Sequence, residues 1–279
     1  MNIINILKGM KKMINILYTG NDYVFKGIML SSLSIIKHCK EALNIYVVTM
    51  DIDGFKAIDM NMINTLDKTL KEVNENSNAY LINITDIFNR EMKDSKNLNN
   101  FYTPYCLLRL FSDLIDLPSK ILYLDTDTMV NKDISSLFNI DITNYEFAGV
   151  VDRLGRFFID KNYINSGVLL LNLDMIKKTS LFKNVRCLVK TKKMAFPDQS
   201  ALNKLKKYYL KIPSIYNSQR YLKKDTVVKH FCKSIRWLPI YHTINVKQWE
   251  VKSVHKRLKI HAYDDLYKKY EEILGEELC

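Results

Sequence analysis

Residues 13–84 alternate two kinds of segment, and that alternation constrains the fold more than any other feature of the chain. Residues 13–18, 44–50 and 79–84 are short apolar runs of strand length. After the first run, Val24, Phe25, Ile28, Met29, Ser32, Leu33 and Ile36 recur at helical spacing, which predicts a helix to about Cys39. A charged helix is expected over about 55–73. The order strand, helix, strand, helix, strand predicts a parallel sheet with right-handed crossovers. Asn21 or Asp22 stands where a cap of the first helix is expected.

The rest of the chain continues the pattern. Residues 89–100 are polar and read as a loop. A helix is expected over 103–115, with Thr103 as cap and Pro104 in its first position. Residues 121–124, 146–151 and 167–173 read as buried strands, with a loop at 153–162. Two helices fill about 175–193, and Asp198 is expected to cap another that runs to about Leu205. A last helix is expected over 264–274. No internal repeat or low-complexity linker interrupts the 279 residues. The reading is an α/β domain over 13–240 and a basic C-terminal extension, 241–279, with a terminal helix.

The chemistry is concentrated in Leu124-Asp-Thr-Asp-Thr128. An apolar strand ends there on two carboxylates one residue apart. At the carboxyl end of a strand in an open α/β sheet, the chain lines the ligand crevice. Two charged carboxylates held close together call for a positive partner between them. A divalent cation with oxygen ligands is the simplest one, and a metal-bound phosphate compound is then the natural ligand. A plain turn is the competing reading, since Asp favours turns.

Apolar residues make up 47% and charged residues 26%, the balance of a globular protein. No apolar stretch approaches the ~18 residues of a membrane helix. Residues 1–13 lack the apolar centre of a secretory signal, so a cytoplasmic location is expected. The five cysteines are scattered without a C-x-x-C pair, which suits reduced thiols. The net charge is +12, and residues 201–270 hold 17 Lys/Arg against 4 Asp/Glu. Nucleic acid, an anionic membrane surface or an anionic small ligand could answer that excess. With no nucleic-acid-binding module in the sequence, no nucleic-acid partner is expected. Peripheral contact of 201–270 with the inner face of the membrane stays open, with Trp237, Tyr241, Trp249 and Tyr263 among the lysines.

Five features follow one another: Arg109 in Tyr105-Cys-Leu-Leu-Arg109, the D-x-D, Tyr163-Ile-Asn165-Ser-Gly167, Asp198-Gln199, and His230-Phe-Cys-Lys233-Ser-Ile-Arg236-Trp237. In this order they resemble the family-8 glycosyltransferases, over about residues 14–237. The resemblance implies a GT-A fold, a Rossmann-like sheet that binds a UDP-sugar with Mn²⁺ (Mg²⁺ as the alternative) and transfers the sugar with retention. It places the metal on Asp125, Asp127 and His230, with Thr126 beside them. Two carboxylates and an imidazole suit Mn²⁺. Arg236 matches the lysine of the family's H-x-x-G-x-x-K-P-W and would fork onto the diphosphate. Lys233 stands where that motif has glycine, and the proline is missing. Thr19, Gly20, Asp22 and Tyr23 correspond to the uridine-binding turn, with Tyr23 to stack on uracil and Asp22 to accept from the ribose. The family often has an acidic residue where Gly20 sits. Arg109, Asn165, Asp198 and Gln199 would form the sugar pocket, with Gln199, Asp198 and Arg109 as the catalytic groups.

The implied reaction moves glucose or galactose to a saccharide, lipid-linked saccharide or glycoprotein. Gln199 offers the anomeric carbon only an amide oxygen, which favours front-face attack over a covalent intermediate. Asp152 and Arg153, after a strand, either face the cleft or form a solvated loop pair, and the second reading is preferred. Two other readings compete: a fold that binds nucleotide-sugars without turnover, supported by the altered Lys233 loop, and a D-x-D phosphohydrolase. The latter usually carries its motif on the first strand, whereas three expected strands precede it here.

Overall fold

The computed structural model describes residues 13–98, 103–194, 196–236 and 242–278. Its centre is a seven-stranded sheet of β1 (Met13–Thr19), β2 (Ala42–Thr49), β3 (Asn78–Asn83), β4 (Lys120–Leu124), β6 (Phe147–Val151), β7 (Ile164–Asn172) and β8 (Tyr209–Lys211). A short strand, β5 (Thr128–Val130), lies outside it. The order across the sheet is β3-β2-β1-β4-β7-β6-β8. Every strand runs in one direction except β7, which is antiparallel to both β4 and β6. The sheet is therefore mostly parallel, as the alternation of segments requires. β7 is buried along nearly its whole length, so it reads as a continuous apolar run rather than an alternating one.

Helices cover both faces. On one side lie α1 (Phe25–His38) and α2 (Met60–Lys71), where Ile28, Leu33, Ile63, Leu66 and Leu70 join the interior of β1 and β2. On the other side are α3 (Thr85–Met92), a 3₁₀ segment Pro104–Phe111, α4 (Leu173–Thr179), α5 (Leu181–Thr191) and α6 (Pro197–Leu205). Their Phe88, Phe111, Phe182 and Leu202 form a second core under Tyr123 and Leu169. α7 (Asp264–Leu274) returns to the first face. Its Leu266, Tyr267 and Tyr270 share one apolar cluster with α1.

Several local readings need correction. Residues 89–100 are not simply a loop: α3 runs to Met92, because Phe88 and Met92 bury into the second core. The expected 103–115 helix is a shorter 3₁₀ segment, and Thr103 makes no side-chain cap. Neither Asn21 nor Asp22 caps α1. A 3₁₀ turn, Asp22–Val24, comes first, and the Asp22 carboxylate accepts from the next residue's N–H instead. Asp198 is not a cap either, since α6 starts at Pro197 and the carboxylate turns inward. The extension is not basic: residues 241–279 hold seven Lys/Arg against seven Asp/Glu, whereas 201–236 hold ten against one. Trp249 and Tyr263 are buried, so they offer no surface to a membrane. Trp237 and Tyr241 lie outside the described residues.

β1, β2 and β3 are laid out to one side and β4 to the other, so the order reverses between β1 and β4. At such a switch point the carboxyl ends of the strands open a crevice. Thr19–Tyr23 leaves β1 there and Asp125–Asp127 leaves β4 there.

Candidate active site

The crevice is a cleft of about 1270 Å³. It is lined by Thr19, Gly20, Asp22, Tyr23, Arg109, Asp125, Thr126, Asp127, Asn165, Asp198, Gln199, His230 and Lys233. These are all the candidate residues of the sequence except Arg236, whose side chain lies outside the described residues.

His230 reaches the two aspartates by strand pairing. β9 (Val228–His230) runs antiparallel to β5, with Thr128 opposite His230 and Val130 opposite Val228. Asp127 O accepts from the Phe231 N–H at 2.8 Å, which extends the ladder. The driving force is burial of Met129, Val130, Val228 and Phe231. The imidazole Nε2 then lies 3.0 Å from Asp127 Oδ1 and 3.6 Å from Asp125 Oδ2. These three ligand atoms all fall within 4.8 Å of one another. Gly167 on β7 makes the room. A Cβ there would stand 2.2 Å from His230 Cε1 and 2.7 Å from Asp125 Oδ2.

A relay of amides fixes the imidazole. Asp152 Oδ2 accepts from Asn165 Nδ2 at 2.8 Å, so Asn165 presents its Oδ1 to Asn217 Nδ2 at 2.8 Å. Asn217 is thereby turned so that its Oδ1 faces His230 Nδ1 at 3.1 Å. An amide oxygen only accepts, so Nδ1 donates. The Nε2 that faces the carboxylates is then the nitrogen left for a cation, the usual arrangement behind a metal-bound histidine. Asp152, read from sequence as half of a solvated pair, is the origin of this relay.

The carboxylates are tuned differently. Burial pushes the Asp127 carboxyl up, but Lys247 and His230 outweigh it and hold it well below the usual range. Lys247 forms an ion pair with Asp127 Oδ2, and although burial opposes its charge, Asp127 keeps the ammonium above its ordinary value. Asp125 Oδ1 accepts from Tyr123 at 2.6 Å and lies 2.9 Å from Arg109 Nη2. Burial works against the Arg109 charge as well, yet Asp125, Tyr123 and Asp198 together raise it. Arg109 also donates to Ser166 O at 2.5 Å and lies 3.5 Å from Asp198 Oδ2. Gln199 Oε1 accepts from the Ser166 N–H at 2.9 Å, and its Nε2 faces Asp152 Oδ2 at 3.4 Å. The Gln199 oxygen is thus taken up by Ser166, and the charged acceptor on this wall is the Asp152 carboxylate, itself held by Asn165 and by the Leu154 and Gly155 N–H groups.

Sequence spacing missed Lys247. The motif puts a basic residue six positions after the histidine, where Arg236 stands. In the structure a hairpin intervenes, β10 (Ser234–Arg236) with β11 (His242–Ile244), antiparallel. The basic residue that faces the D-x-D comes seventeen positions after His230, followed by Gln248 and Trp249. Gln248 Nε2 donates to Thr126 O at 2.6 Å, and Trp249 packs on Gly27 so closely that a Cβ would meet its ring at 2.4 Å. The Lys-x-Trp spacing was the available signal. At the turn after β1, a Cβ on Gly20 would stand 2.4 Å from Val24 Cγ2, which bars the acidic side chain common in the motif. Tyr23 is 63% exposed over the cleft, edge-on to Trp249 at 6.5 Å.

Comparison with known proteins bears on the family and the fold. The family described as Glycosyl transferase family 8 matches residues 15–252. A Haemophilus influenzae protein named as a glycosyltransferase is 28% identical over 208 residues, covering 68% of this chain and 58% of its own length. The crystal structure of LgtC, a galactosyltransferase in complex with donor and acceptor sugar analogues, superposes with a TM-score of 0.63 at 17% identity, over 94% of this chain and 95% of that one. Streptococcus pneumoniae GlyE superposes at 0.61 and 18% identity, over 92% of this chain and 63% of that one. The chain thus spans less than two thirds of the Haemophilus relative and of GlyE. The structural likenesses show the fold, which is GT-A.

Proposed function

The chain belongs to glycosyltransferase family 8, and from that premise we propose that it moves glucose or galactose from a UDP-sugar to a saccharide, lipid-linked saccharide or glycoprotein, with retention and with Mn²⁺ (Mg²⁺ as the alternative). The observation that carries the reading is the meeting of Asp125, Asp127, His230 and Lys247 at the switch point, with Arg109, Asn165, Asp198 and Gln199 along the adjoining wall.

The donor set fits a divalent cation: two carboxylate oxygens and one imidazole nitrogen converge, and Gly167 leaves space beside them. Asp125, Asp127 and His230 would hold it. When bound, such a cation supplies Lewis-acid stabilisation of the charge that develops on the departing diphosphate. Lys247 serves the diphosphate in the place that spacing gave to Arg236, and Lys233 lines the same cleft. Thr19, Gly20, Asp22 and Tyr23 receive the uridine, with Thr126 against it. The transferase unit over 13–240 therefore takes two of its working residues, Lys247 and Trp249, from the extension 241–279.

In the transfer, the bond from the sugar's anomeric carbon to the phosphate oxygen breaks and a bond to the acceptor hydroxyl oxygen forms on the same face. The hydroxyl proton passes to the leaving phosphate oxygen. Arg109, Asp198 and Asn165 orient the sugar hydroxyls, and Asp152 places a negative charge near the electron-poor carbon. Arg109 and Tyr123 already occupy Asp125 Oδ1, which argues against a nucleophilic Asp125 of the phosphohydrolase kind. Incubation with UDP-glucose or UDP-galactose and Mn²⁺ tests the reading. Release of UDP with α-anomer product is expected. Release of phosphate from phosphomonoesters, with no UDP formed from either donor, would overturn it.

A further inference from the structure

Beside the cleft, three consecutive apolar side chains stand in water: Phe157, Phe158 and Ile159 are 70%, 68% and 58% exposed. They form the end of a short helical turn, Gly155–Phe158, and the residue after it, in the segment read from sequence as a loop. The exposure does not come from slack backbone. Asp152 Oδ1 accepts from the N–H groups of Leu154 and Gly155 at 2.9 and 2.6 Å. Gly155 O accepts from Ile159 and Asp160 at 2.8 and 3.0 Å, and Tyr163 donates back to Asp160 O at 2.8 Å. A Cβ on Gly155 would stand 2.3 Å from the Tyr163 ring, so the turn is pressed onto a buried aromatic of the cleft. A fixed scaffold that presents contiguous large apolar side chains marks an interaction surface.

Its surroundings are basic. Arg153, Arg156 and Lys161 flank it against two acids, Asp152, whose carboxylate caps the turn, and Asp160, whose Oδ1 accepts from the Asn162 N–H at 2.6 Å. The Arg156 guanidinium lies 4.4 Å over the Phe157 ring. Lys211 reaches Asn162 at 2.6 Å, and Gln219 takes the Arg153 N–H at 2.7 Å. These contacts bring Lys211 and Gln219 of the basic 201–236 segment to the edge of the patch. Half-exposed Tyr221 follows, beneath Arg220.

We infer that residues 153–161 form a lipid-docking turn: Phe157, Phe158 and Ile159 enter the headgroup–acyl boundary of an anionic bilayer, and Arg156, Lys161 and the neighbouring lysines face its phosphates. Large apolar side chains within a basic field are what that interface selects. Charge complementarity chooses this occupant, because Arg153, Arg156 and Lys161 lie in the same turn as the apolar side chains and Lys211 joins it through Asn162. Phe158 and Ile159 also line the cleft, so docking sets its mouth against the membrane surface. A lipid-linked saccharide would be presented there, a consequence that rests on the transferase reading.

Sedimentation of the full chain with phosphatidylcholine vesicles, with and without phosphatidylglycerol, tests the inference. The protein is expected to pellet only with the anionic vesicles, and Phe157→Ser/Phe158→Ser to lose affinity by about tenfold or more. Phe157→Trp should show blue-shifted emission on these vesicles and quenching by brominated lipid. UDP titration of Phe157→Ser alone separates the two readings, since retained donor binding with weakened lipid binding confirms an intact fold. Lipid binding in a protein that binds no UDP would remove the transferase reading and leave the docking. Wild-type protein that stays in the supernatant, equal pelleting of the double variant, or loss of soluble acceptor binding rather than lipid binding in Phe157→Ser would each overturn it.

Discussion

Gly167 shows how one missing methyl group sets a site. β7 passes beneath Asp125 and His230, and a Cβ would stand 2.2 Å from one and 2.7 Å from the other. Gly167→Ala is expected to cost about 1–3 kcal/mol of stability through overpacking. It should also weaken metal-dependent UDP binding more than metal-free binding, as titration calorimetry would show. The relay from Asp152 through Asn165 and Asn217 predicts a second effect. Asn217→Ala leaves His230 Nδ1 without its acceptor, so Mn²⁺ affinity should fall by about 10–100-fold, measured by electron paramagnetic resonance of free Mn²⁺. An unchanged affinity would remove the relay from the site. Thiol chemistry gives a third check. Burial pushes the Cys106 thiol well above its ordinary value, while Cys187 is exposed. Alkylation at mildly alkaline pH should label Cys187 faster than Cys106.

At the scale of elements, spacing within a strand or helix is what a sequence displays, and pairing between distant elements is what it hides. The D-x-D could be placed at a strand end because Ile121–Leu124 is an uninterrupted apolar run. The Asp198-Gln199 pair could be placed near the start of a helix, but its capping role could not be foreseen to yield to Ser166 and Arg109, which lie far away in sequence. The β10–β11 hairpin hid Lys247, because a motif read at fixed spacing tolerates no insertion. Asp152 could be placed after a strand near the cleft, but its partners on β7 and α6 could not be foreseen. The two basic candidates can be told apart. Lys247→Met is expected to weaken UDP binding by about tenfold or more, as loss of a charge-assisted contact does, and Arg236→Met to do so less. The reverse order would restore the fixed-spacing assignment. Trp249 wedges against Gly27 of α1, so Trp249→Ala should cost about 3–5 kcal/mol, seen as a lowered thermal midpoint.

Across the whole molecule, the sheet brings β1 and β4 together at the switch point and closes the first face with the C-terminal helix. Tyr263, Leu266, Tyr267 and Tyr270 are buried with Phe231, which follows the candidate ligand His230. Fully burying such side chains contributes about 1.5–3 kcal/mol each, comparable with the total stability of a domain. A chain ending at residue 260 is therefore expected to lose its cooperative thermal transition; a truncated chain that melts like the full one would make the extension dispensable. No described helix is long and apolar enough to cross a membrane. We propose that Asp125, Asp127 and His230 hold a cation that receives a nucleoside diphosphate. Calorimetric titration of UDP into the protein with Mn²⁺ and with EDTA tests it most directly. Binding that appears with Mn²⁺ and vanishes with EDTA, and is lost in Asp127→Asn, is the predicted result. Equal binding in both conditions, or none in either, would contradict it.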